Sequence, residues 1–128
     1  MIIGGKTSSN FQDITGKRTE LLEKWDMSLT DTEKLLLGSV AEQLMSGAEV
    51  IVEDQRIRVK RVGSGRLRMV QFTMNGRVIE AIEQNPEKPG QWGKMARENH
   101  RVVQFRDAEA HRYVGVAVDG KVREYGKR

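Results

Sequence analysis

Apolar residues recur along this chain with two different periods, and the change from one to the other is its main division. Leu36, Leu37, Val40, Ala41, Leu44 and Met45 fall at helical spacing and form one stripe. Thr30-Asp31-Thr32-Glu33 precedes them with the spacing of a capping box, in which hydroxyl and carboxylate satisfy each other's otherwise unpaired backbone donors. Together these predict a helix running from this cap to about Ser46, with Gly47 as a stop able to take a positive φ. A shorter helix is predicted over 17–26, where Leu21, Leu22 and Trp25 share a face. Residues 1–10 show no periodicity and read as a flexible lead-in, which leaves 11–128 as a single domain.

After Gly47 the period falls to two. Val50 and Val52, then Ile57 and Val59, alternate with polar residues, and a further run over 66–74 follows Gly63-Ser64-Gly65. Asn75-Gly76 is a strong hairpin signal, because a type I′ turn needs positive φ at both positions; a return strand is expected over 77–83. Pro86 and Pro89 flank a polar loop, and Trp92, Met95 and Ala96 give the next segment, 91–98, the apolar face of a short helix. Strand character resumes over 101–105 and 112–118, and Asp119-Gly120 turns the chain into 121–125. The expected fold is α+β: N-terminal helices packed on a bent, mainly antiparallel sheet of hairpins, with a short helix inserted before the last three strands.

Charge changes this picture in one place. The chain of 128 residues has a net charge of only +4, yet from Gln55 to Ile79 it carries seven basic residues and no acid. The preceding 54 residues hold five basic against ten acidic residues, so an acidic part precedes a basic ribbon. Either the two dock on each other, within a chain or across a dimer, or the ribbon stands open to an anionic partner. With Val62 opposite Arg66 across the glycine turn, Lys60 would face Arg68, and Arg58 would face Val70. Arg56, Arg58, Lys60, Arg66 and Arg68 would then share one face, with Phe72 as its aromatic and Glu83 as the one acid opposite Arg68. These five cations and Phe72 are the expected nucleic-acid-binding set.

Candidate chemistry is otherwise sparse. Cysteine is absent, so there is no thiol nucleophile and no disulfide. No phosphate-binding loop or metal-ligand spacing occurs, and Gly63-Ser64-Gly65 lacks the third glycine and following helix of a dinucleotide site. His100 and His111, the two histidines, read as solvated loop residues, and nothing in the spacing forces Asp54, Glu83, Tyr113 and Glu124 together. No catalytic residue, cofactor or metal is expected. With no apolar run of membrane-spanning length, the reading is a cytoplasmic protein without a membrane partner. Two functions fit: a non-catalytic module holding nucleic-acid phosphates along the ribbon, or a protein-interaction or homodimerising module whose basic strip pairs with acidic helices.

Overall fold

In the computed structural model, which describes residues 29–125, Thr30 caps helix α1 (Asp31–Ser46) with both halves of the capping box. The Glu33 backbone N–H donates to the Thr30 hydroxyl, and the Thr30 N–H donates to the Glu33 carboxylate. Leu37, Val40, Ala41 and Leu44 are buried along the predicted stripe, with Leu36 and Met45 at its margins. The other end of α1 differs from expectation. Gly47 is extended, with φ −151°, and takes no left-handed turn. Arg68 instead donates through Nη1 to the Leu44 and Met45 carbonyls at 3.5 and 2.7 Å, so a side chain 23 residues away from Met45 closes the helix. The predicted helix over 17–26 and the lead-in lie outside the described residues.

Eight strands follow the helix. β1 (Glu49–Val52) and β2 (Gln55–Arg58) form a two-stranded sheet. β3 (Lys60–Val62), β4 (Leu67–Met74), β5 (Arg77–Glu83), β6 (Val102–Asp107), β7 (Arg112–Val118) and β8 (Lys121–Glu124) form a six-stranded sheet in sequence order, every pairing antiparallel. Helix α2 (Gln91–Arg97) joins β5 to β6, before the last three strands as expected. The fold is therefore α+β.

Local turn chemistry sets most registers. Asn75 and Gly76 have φ 50° and 79°, and Asp119 and Gly120 have 52° and 87°, so each pair forms the two-residue loop its sequence predicts. The glycine turn before β4 is longer than expected. Gly63, Ser64 and Gly65 all have positive φ, and the Arg66 N–H donates to the Gly63 carbonyl, so Arg66 belongs to a four-residue loop. Val62 consequently faces Leu67, Arg61 faces Arg68 and Lys60 faces Met69, one residue out of the anticipated register. A slip of one residue moves side chains to the other face.

Val70, Phe72 and Met74 of β4, Ile79 and Ala81 of β5, Val103 and Phe105 of β6, and Val114 and Ala117 of β7 are buried in one cluster with the α1 stripe and with Val50 and Val52. Ile57 and Val59 pack against this same cluster, whereas Leu67, Met69, Val78 and Ile82 lie on the other face of the sheet. Phe72, 2 % exposed, is a core residue.

Two glutamines hold the separate layers in register. The Gln43 amide donates to the Ile51 carbonyl and accepts from the Ile51 N–H, tying α1 to β1. Gln55 makes the same reciprocal pair with Thr73, bridging β2 to the part of β4 that three-residue β3 does not reach. Gly93 is needed for a close approach: a Cβ there would lie 1.9 Å from the Lys88 carbonyl oxygen, inside the loop that α2 closes.

Candidate nucleic-acid interface

The segment from Gln55 to Val62 is a nearly continuous extended strand that changes partner at Val59. Its first half pairs with β1; the Val59 N–H then donates to the Ala48 carbonyl, and the second half pairs with β4. Ile57 and Val59 face the core, while Arg56, Arg58 and Lys60 alternate with them and are exposed. Residues two apart on a strand are about 6.7 Å apart, so these three cations form a short outward row.

Arg66 and Arg68 do not join that row. Arg66 lies in the glycine loop, where Nη2 donates to Glu87 at 2.5 Å, and this carboxylate holds its guanidinium pKa above the ordinary value. Arg68 is anchored to the end of α1 and to Glu83, whose carboxylate lies 3.6 Å from its Nε and also accepts its backbone N–H. The expected opposition of Arg68 and Glu83 is thus present as an ion pair. The single open face holding Arg56, Arg58, Lys60, Arg66 and Arg68 is not, because the glycine loop has one more residue than that register allows. Phe72 is likewise corrected: as a core residue it offers no ring to a base.

Acids meet part of the ribbon. Glu49 lies directly across from Arg58 in the β1–β2 ladder, but it pairs diagonally with Arg56 at 2.9 Å. Both side chains of that pair are well exposed, as are those of Arg66 and Glu87, so both are surface pairs that solvent and salt weaken. Arg77, buried on the core side, is not part of the strip. Among the described residues, no carboxylate lies within 4.0 Å of Arg58, Lys60 or Arg61. Arg61 was not in the expected set. Its signal was the loop length, since a four-residue turn brings it opposite Arg68.

Two recesses adjoin these cations. One of about 470 Å³ is lined by Ala48, Glu49, Arg58 and Val59, and another of about 370 Å³ by Met45, Ser46, Gly47, Arg61 and Arg68, with Ala48 and Val59 common to both. A recess of about 610 Å³ between α1 and β8 mixes Asp31, Lys34, Leu35, Glu42 and Lys121, with no converging set of one chemistry.

The remaining titratable groups are dispersed. His100 Nδ1 lies 2.7 Å from Asp119, and His111 Nδ1 lies 3.1 Å from Arg106; both histidines are exposed, as expected. Glu83 partners Arg68, Glu124 accepts from the Leu29 N–H, Asp54 lies exposed at the β1–β2 turn, and Tyr113 packs edge-on to Tyr125 with ring centroids 6.3 Å apart. Among the described residues no cluster of three or more metal-ligating side chains occurs, and no helix is long and apolar enough to cross a membrane.

No family model, curated protein or solved structure matches the chain.

Proposed function

We propose that the protein is a small non-catalytic binding module for polyanions, with the phosphate backbone of nucleic acid as its preferred partner. The observation that carries this reading is the survival of Arg58, Lys60 and Arg61 as exposed cations on successive strands, with no carboxylate of the described residues paired to them. A strand holds such charges at fixed spacing, so backbone phosphates are met without ordering three long side chains on a disordered tail. Arg56 and Arg66 extend the footprint when their exposed pairs open. With Phe72 in the core, the contacts are electrostatic and carry little base preference.

Fluorescence anisotropy with a labelled single-stranded oligonucleotide tests the proposal. Replacing Arg58, Lys60 and Arg61 together with Ala abolishes binding if it is right, while replacing Lys94 and Lys121, which lie elsewhere, leaves binding within about twofold. Equal affinity of the triple variant and the unaltered chain would remove it. The second reading, self-association, draws on the half-buried apolar residues Leu67, Met69, Val78 and Ile82 on the face of the sheet opposite the core. Light scattering decides it: a dimer favours that reading, and a monomer at tens of micromolar excludes it.

A further inference from the structure

The polyanion strip does not explain why one of its cations, Arg61, lies directly across from a second arginine. Arg61 and Arg68 are direct cross-strand partners, an arrangement in which like charges oppose one another on the same face of the sheet. Both line the recess of about 370 Å³ at the carbonyl end of α1, a size within the range of small-molecule sites. We propose that this recess is a binding site for a phosphate monoester dianion, gripped by Arg61 and Arg68 together.

Three observations support it. Arg61 is exposed and has no carboxylate partner among the described residues, so its guanidinium is available as a fork. Arg68 is anchored: Nη1 donates to the Leu44 and Met45 carbonyls and Nε faces Glu83, while Nη2 has no acceptor among the described residues. A guanidinium has five donors, so the anchoring leaves some for a ligand and fixes their position in advance. Finally, the carbonyl end of a helix repels anions, and here two of those carbonyls, Leu44 and Met45, are already covered by Arg68, which places a cation at the otherwise unfavourable end of α1. Arg61 belongs to the strip as well, but with Val59 it lies on the side of the strand opposite the outward row of Arg56, Arg58 and Lys60, so the recess adjoins that row without sharing its cations.

The inference deepens the polyanion reading and rests on it for the source of the phosphate, which would be a nucleic-acid end; free phosphate presents the same chemistry. Two arms separate these. In the first, inorganic phosphate is titrated into the full chain while backbone amides and arginine side-chain resonances are followed by NMR. Saturable shifts confined to Arg61, Arg68, Ala48 and Val59, lost in Arg61→Ala and weakened in Arg61→Lys, are expected, because lysine keeps the charge but not the fork. In the second, one oligonucleotide is compared with a 5′-phosphate and with a 5′-hydroxyl. The phosphorylated form should bind roughly tenfold more tightly, a preference lost in Arg61→Ala.

Phosphate shifts without oligonucleotide binding would keep the recess and remove the polyanion reading. Equal, salt-sensitive binding of both oligonucleotides, with no phosphate shifts, would overturn the recess and leave the strip standing. Arg61 is exposed, so its replacement tests the ligand without testing the fold; Arg68→Ala is unsuitable because it also uncaps α1.

Discussion

Arg68 shows how one residue's role is decided by what lies far from it in sequence. Its alternation with Leu67 and Met69 marks it as a strand cation, yet it closes a helix whose last residue is 22 positions earlier. Removing it leaves two helix carbonyls short of a donor and Glu83 without its counter-charge. Arg68→Ala should therefore cost about 1–3 kcal/mol in urea denaturation, against less than about 0.5 kcal/mol for Arg58→Ala or Arg61→Ala. Equal effects at all three positions would show that Arg68 is a surface residue like the others. Gly47→Ala should be tolerated, since an added Cβ meets nothing nearer than 3.9 Å and the backbone is extended.

Asp119 offers a pH test on the same scale. The Arg101 backbone N–H and the His100 ring hold its carboxyl below the usual carboxylate range. A depressed native pKa means that the stabilisation is present above the ordinary carboxylate value and is lost as pH falls through the native one. Asp119→Asn should thus lower the melting temperature at neutral pH, and the gap from the unaltered chain should close on acidification below about pH 4. A gap independent of pH would contradict this.

Amide side chains tie elements together where no strand ladder reaches. Gln43 and Gln55 each satisfy one backbone N–H and one carbonyl at a strand edge that no neighbouring strand covers. Gln55→Ala should cost about 1 kcal/mol and leave the edge of β4 at Thr73 open to other chains. Faster aggregation on mild heating, compared with Gln71→Ala on β4 itself, is the expected result. Similar behaviour of the two variants would mean that the edge is protected by other means.

Elements whose signals are local were legible in the chain itself. The Thr30 box, the Asn75-Gly76 and Asp119-Gly120 turns and the short helix after Pro89 each depend on residues within four positions, and each forms as its spacing predicts. The glycine turn was ambiguous, because Gly63 and Gly65 permit a loop of three or four residues, and that single residue redistributed the basic face. The closure of the carbonyl end of α1 by Arg68 and the bridging of the edges of β1 and β4 by Gln43 and Gln55 depend on side chains from other elements, for which neither periodicity nor turn chemistry has a signature.

Across the whole molecule, the basic ribbon is neither the open platform its composition suggests nor a fully neutralised scaffold. Glu49, Glu83 and Glu87 take up Arg56, Arg68 and Arg66, and the folded chain leaves three cations where the linear charge profile shows seven. Affinity for polyanions should accordingly be modest and steeply dependent on ionic strength. The measurement that tests this most directly is the salt dependence of binding to a single-stranded oligonucleotide. Three phosphate contacts give a slope of log affinity against log salt of about −2, reaching about −3.5 if Arg56 and Arg66 also engage. A slope near zero, or one unchanged when Arg58, Lys60 and Arg61 are replaced by Ala, would contradict the account.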